Sequence, residues 1–195
     1  HARRPKMQGE KYLKFRCTEC GNCCSDTIVP ISHLDLKRLI EGTGLKALDI
    51  CTFYAPDDFD DKGSGLQFAN LDGGRYTLGL RKRLDKENDR DSCSFFKDNR
   101  CSVYEHRPVT CRVWPFTLGF DSTGKRVTSL SINAALPCPY ELDGKNTVSQ
   151  LAANWSRDNY QDEGGGARVA EWNRTHSKGS EEEFLAFVVL VYGVG

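Results

Sequence analysis

The period of the apolar positions changes several times along the chain, and each change predicts an element. Leu36, Leu39 and Ile40 recur at helical spacing behind Pro30-Ile31-Ser32. Ser32 is a capping residue, Asp35 falls three residues later near the positive helix end, and Gly42 and Gly44 stop the run. A second short helix is predicted over residues 46–53, with Cys51 on its apolar side beside Ile50 and Phe53, where it reads as a core thiol. Residues 57–65 are acidic and glycine-rich and read as a loop. Tyr76, Leu78 and Leu80 then alternate behind Asp72-Gly73-Gly74, which predicts a β-hairpin. Charge signs alternate through residues 81–91, the mark of a solvent-facing loop. The stretch 93–115 is dense in Cys, Pro and Arg and reads mostly as loop. Apolar runs flank Asp121-Ser122-Thr123-Gly124 and predict another hairpin over 116–132, whereas Pro137-Cys138-Pro139 is rigid and non-helical.

The last third has a different texture. Val148, Leu151, Ala152 and Trp155 repeat at helical spacing, Gly164-Gly165-Gly166 is expected to break that helix, and Val169 with Trp172 to mark the next. Ser180 and Glu183 fit a capping box ahead of a helix over 181–192, apolar nearly all round and so either buried or docked on a partner. The expected fold is therefore α+β, a small, irregular, loop-rich domain stabilised by metal, with helices at its C-terminal end. Three segments are expected. Residues 1–16 are basic and read as a solvated leader or, given the start at His1, a tag remnant. Residues 17–140 form a cysteine-cluster metal-binding domain, and 141–195 a helical segment packed on it.

Composition narrows the function. With 195 residues, 27 Lys+Arg and 27 Asp+Glu, the formal net charge is zero, so neither nucleic acid nor an anionic membrane surface is an expected partner. The longest apolar run, Phe184 to Tyr192, is far short of the about 20 residues of a membrane helix. The apolar content is 38%, a modest supply for a core of this length, and nine cysteines stand against one methionine. Metal–thiolate chemistry is expected to supply what the core lacks, and it implies a reducing, cytoplasmic setting. A protein or peptide partner is expected for the apolar C-terminal helix.

The cysteines carry the strongest signal. Cys17, Cys20, Cys23 and Cys24 fall within CTECGNCC, and Cys93, Cys101, Cys111 and Cys138 follow after a gap. Two residues between thiolates let one turn direct both sulfurs at one ion or cluster. Gly21 allows the turn. Disulfides are the weaker reading, because loops this short close with strained geometry. At four ligands per site the eight cysteines make two sites, and Cys51 is left over. Cys17, Cys20 and one of the vicinal pair are expected to meet a ligand from the later segment. Adjacent Cys23 and Cys24 diverge toward two metals, or one of them bridges a polynuclear centre.

CTECGNCC followed by CSFFKDNRCSVYEHRPVTCRVWPF resembles the CxxCxxCC (YkgJ-type) cysteine-cluster family, over about residues 15–140. The resemblance implies a zinc- or iron-chelating domain, with the family cysteines on Cys17, Cys20, Cys23, Cys24, Cys93, Cys101, Cys111 and Cys138. Flagellin lysine methylases carry a similar domain, which raises protein or peptide modification as a further reading. The leading expectation is one or two 4Fe–4S clusters with a redox or catalytic role. The alternative is two zinc ions in closed tetrahedral sites that fold an interaction module.

Four neighbours of the cysteines complete the candidate site. Arg107 and Arg112 flank Cys111 and are expected to offset thiolate charge and hydrogen-bond sulfur. His106 matches a substitute ligand by spacing, but with enough thiolates at hand it reads rather as a structural or solvent-facing histidine, and Trp114 is expected to cover the centre. Gly42-Thr43-Gly44-Leu45-Lys46-Ala47 matches G-x-G-x-x-A but follows a helix, not a strand, so it is not a dinucleotide site.

Overall fold

The architecture comes from a computed structural model that describes residues 15–189 apart from 26, 61, 64, 86–89, 124–126 and 133–139. The fold is α+β, with small antiparallel ladders and five helices among the described residues. Strand β1 (Phe15–Cys17) leads into the cysteine loop, which tightens into a 3-10 turn over Asn22–Cys24. Helix α1 (His33–Thr43) starts where the sequence places it. The Ser32 hydroxyl accepts from the Asp35 N–H at 3.1 Å, and the Asp35 carboxylate accepts back from the Ser32 N–H at 3.4 Å. Gly44 ends α1 in the left-handed conformation, φ +70°.

Helix α2 (Ala47–Ile50) is one turn long and runs straight into strand β2 (Cys51–Tyr54). The expected helix over 46–53 is thus half strand, because Cys-Thr-Phe-Tyr fits a pleated surface better than a helix. Strands β3 (Ala69–Leu71) and β4 (Gly74–Leu80) form the expected hairpin, and β4 is central between β2 and β3. The charged stretch pairs instead of looping. Strand β5 (Lys82–Asp85) runs antiparallel to β6 (Arg90–Cys93), with the register setting Asp85 opposite Arg90. A second small hairpin joins β7 (Phe96–Lys97) to β8 (Arg100–Cys101) through Asp98 and Asn99 at φ +50° and +56°. A 3-10 turn (Tyr104–His106) and the short helix α3 (Val109–Val113) follow. The segment expected as loop is therefore largely ordered structure. Strands β9 (Phe116–Phe120) and β10 (Val127–Ile132) make the next hairpin, and β11 (Tyr140–Asn146) returns to β1, placing Tyr140 opposite Cys17. The Pro137-Cys138-Pro139 stretch lies outside the described residues, as does 1–14.

Helix α4 (Val148–Thr175) runs unbroken through Gly164-Gly165-Gly166, where a break was expected. Its far half is anchored too firmly to unwind. Trp172, 1% exposed, donates from Nε1 to the Asn70 carbonyl of β3 at 2.8 Å, and the Asn173 side chain accepts from the Asn70 N–H and donates to the carbonyl of Phe68, just before β3. Tertiary anchoring outweighs glycine's poor helix propensity, about 1 kcal/mol per residue. Helix α5 (Glu181–Val189) has the expected Ser180–Glu183 capping box. Leu36 and Leu39 of α1, Ile50, Cys51, Leu78 and Leu80 pack with Trp172, Phe184, Leu185 and Val188 in the main core. No helix among the described residues is long and apolar enough to cross a membrane.

Candidate metal centre

Seven cysteines from three parts of the chain line one cavity of about 190 Å³: Cys17, Cys20, Cys23, Cys24, Cys93, Cys101 and Cys111. Strand β1 and the following turn bring the first four, β6 brings Cys93, β8 brings Cys101 and α3 brings Cys111. The N-terminal loop is pinned to β6 by an isolated bridge between Ser25 and Ser92, whose hydroxyls lie 3.4 Å apart, while Ser25 donates to the Gly21 carbonyl at 3.0 Å. Gly21 sits at φ +79° under the Phe96 ring, and a Cβ there would lie 2.5 Å from Cζ. Any side chain at 21 would push the loop off the ring that seats it.

All eight described cysteines are free thiols. Cys51 lies apart, fully buried in the core, donating to the Ala47 carbonyl at 3.2 Å. Cys138 lies outside the described residues.

Backbone amides aim at the sulfurs. The Glu19 N–H donates to Cys17 Sγ at 3.3 Å; Glu19 itself is held at φ +55° and its carboxylate accepts from the Cys101 N–H at 3.3 Å. The Phe95 and Phe96 amides point at Cys93 and the Val103 amide at Cys101, in each case lowering the cost of thiolate charge. These are the donors that a metal-bound thiolate uses.

Other influences oppose thiolate charge on Cys17, Cys24, Cys93, Cys101 and Cys111. Burial pushes Cys17, Cys93, Cys101 and Cys111 up from the ordinary thiol range, and neighbouring thiolates add to the shift. Cys24 is raised first by its hydrogen bond with Cys23 and then by burial. The repulsion maps who is near whom. Cys17, Cys24, Cys93 and Cys111 all feel the charge of Cys23. A cation among these sulfurs removes the repulsion and displaces their protons. The residues thus fit a thiolate-bound metal. Among the described residues no three Cys, His, Asp or Glu side chains converge closely enough to enclose a single ion; the sulfurs instead ring a shared space.

The four neighbours separate. Arg107 lines the cavity, lies 3.8 Å over the Tyr104 ring, and lowers the thiolate cost at Cys17, Cys101 and Cys111. Trp114 also lines it, and its buried Nε1–H has no acceptor among the described residues. A donor left unsatisfied in a thiol-lined wall is suited to a sulfur of a bound centre. Arg112 turns the other way, donating to the Arg107 carbonyl at 3.1 Å and the Glu105 carbonyl at 2.7 Å. His106 is not in the cavity wall; its ring lies against Gly42 of α1, where a Cβ would overlap it.

Behind Arg107 stands a clamp that sequence reasoning missed. Asp35, 2% exposed, accepts from the Val109 N–H at 3.2 Å and from Arg38 Nη1 at 3.1 Å. Arg38 also reaches the Arg107 carbonyl at 3.4 Å. The N-cap pattern identified Asp35 as a capping acid, but nothing local announces a partner 74 residues away.

The profile of the CxxCxxCC family, described as a "putative zinc- or iron-chelating domain", matches residues 16–139. No curated protein and no solved structure matches the chain.

Proposed function

Because the chain belongs to the CxxCxxCC family, with its zinc- or iron-chelating domain, we propose that the thiol-ringed cavity holds a polynuclear iron–sulfur centre with a redox role. The observation that carries this reading is the seven cysteines lining one shared cavity. Isolated zinc ions need separate tetrahedral sets, whereas a cluster takes thiolates spread around its own bulk. The ligands are Cys17, Cys20, Cys23, Cys24, Cys93, Cys101 and Cys111 of the cavity wall, with Cys138 as the eighth by the sequence pattern. Such a centre supplies electron transfer or, at an iron with an open position, Lewis-acid activation.

The chain's own residues set the conditions. Arg107 offsets the negative charge of the thiolates, and the amides of Glu19, Phe95 and Val103 lower the cost of that charge on Cys17, Cys93 and Cys101. Phe95, Phe96, Val103 and Trp114 make the wall largely apolar and limit water. Arg112 and Asp35 fix the backbone that presents Arg107 and Cys111.

The test is optical. Anaerobically purified protein is expected to be brown, to bleach with dithionite and to recover on reoxidation. Colourless protein carrying zinc alone would overturn the proposal and leave a folding zinc module.

A further inference from the structure

Thr110, the residue before Cys111, borders both the thiol cavity and a second cleft of about 320 Å³. The start of α1, the glycine run of α4 and one face of α5 enclose this cleft. We propose that it binds a small organic acid, a carboxylate on an apolar body, beside the metal centre. The inference stands on the cleft alone and holds whichever metal the thiols carry.

Size is the first argument. The volume lies at the lower end of the about 300–1,000 Å³ of small-molecule sites. Lining chemistry is the second. Ile31, Leu78, Phe184 and Val188 supply apolar wall, and the basic groups are Arg168 and His33. No Asp or Glu is among the described lining residues. The Arg168 guanidinium donates from Nη1 to Glu171 at 2.6 Å and from Nη2 to the Phe187 carbonyl at 2.9 Å, and its buried Nε–H has no acceptor among the described residues. Glu171 is the more exposed partner, 43% against 16%, so water screens its charge more than that of Arg168. His33 is 5% exposed, and burial together with Arg168 holds its ring toward the neutral form.

The glycines are the third argument. Each weakens a helix interior relative to alanine, and crowding does not require those at 164 and 165. A Cβ on Gly164 would lie 3.9 Å from the His33 ring, and one on Gly165 3.7 Å from its Nδ1, both ordinary contacts. What a larger side chain at 165 would do is fill the cleft. A bare stretch of helix kept at the expense of helix stability is the expected wall of a binding site.

The experiment is titration calorimetry on the metal-loaded full chain with hexanoate and phenylacetate, against hexanamide and phenylacetamide. The acids are expected to bind saturably and the amides about tenfold more weakly or worse. Gly165→Leu is expected to fold, to keep its metal and to lose acid binding, whereas Gly165→Ala keeps it. Arg168→Gln is expected to weaken the acids about tenfold while leaving the amides unchanged. No saturable binding by either acid overturns the proposal. So does equal binding of acid and amide, or acid binding that survives both Gly165→Leu and Arg168→Gln.

Discussion

Replacing Asp35 by alanine tests whether the clamp behind Arg107 holds the two halves of the site together. The carboxylate joins the first turn of α1 to the first turn of α3, two residues before Cys111. Removal leaves the N–H of Val109, a residue with no exposed surface, without an acceptor, a loss of about 1–3 kcal/mol. The reciprocal half of the capping box goes too, at most about 1 kcal/mol, since Ser32 still accepts from the residue-35 amide. The contact with half-exposed Arg38 adds about 0–1 kcal/mol, and alanine returns about 0.5 kcal/mol of helix propensity. The expected net loss is about 3 kcal/mol. Asp35→Asn keeps an oxygen for Val109 but cannot serve both Ser32 and Arg38, so about 1 kcal/mol is expected. Urea unfolding of the loaded protein at matched metal content reads both values. A loss below about 0.5 kcal/mol for Asp35→Ala, or equal damage from both variants, would refute the clamp.

Three other outcomes follow from the same structure. Cys51→Val should retain full metal content. It should also remove a pH dependence, because burial pushes the Cys51 thiol from 9.0 up to about 12. Its stabilising contribution is complete below pH 9 and falls by about 1.4 kcal/mol per pH unit as pH rises toward 12, so the difference between wild type and variant in alkaline urea melts isolates it. Metal affinity should rise with pH, since Cys17, Cys93, Cys101 and Cys111 must each give up a proton held by burial; chelator competition at about pH 6 and about pH 8 checks the direction, and a flat profile contradicts it. Trp114→Phe should leave the centre in place but lower its reduction potential by about 40–60 mV, the equivalent of one lost hydrogen bond to sulfur in a one-electron couple, read by redox titration. An unchanged potential would remove Trp114 from that role.

Local chemistry made part of this legible in the sequence. Ser32 with Asp35 and Ser180 with Glu183 are short-range patterns whose partners lie three residues apart, and both caps form. Asp72-Gly73-Gly74 likewise turns a hairpin. The cysteine spacing leads to the expectation that the N-terminal cysteines meet the later segment, and one cavity brings Cys93, Cys101 and Cys111 to them. What was not legible depended on distant partners. Nothing near Gly164–Gly166 shows that Trp172 and Asn173 will be tied to β3, so the glycines read as a break. Lys82–Asp85 has no apolar alternation, and its pairing with β6 is a matter of main-chain ladder and the closing of the site by Ser25 and Ser92. Asp98-Asn99 is a positive-φ hairpin turn without the glycine that usually announces one. Arg112 was placed beside sulfur by its nearness to Cys111, but a helical residue one step on points elsewhere, and it takes backbone carbonyls instead.

The central claim is that the thiols hold one or two 4Fe–4S clusters, and counting atoms tests it most directly. Iron, zinc and acid-labile sulfide should be measured per chain on anaerobically purified protein from cells supplied with both metals, alongside Cys111→Ser. The account predicts about four or about eight irons with equal sulfide, little zinc, and a sharp fall of both iron and sulfide in Cys111→Ser. About two zincs without sulfide, or unchanged metal content in Cys111→Ser, would contradict it.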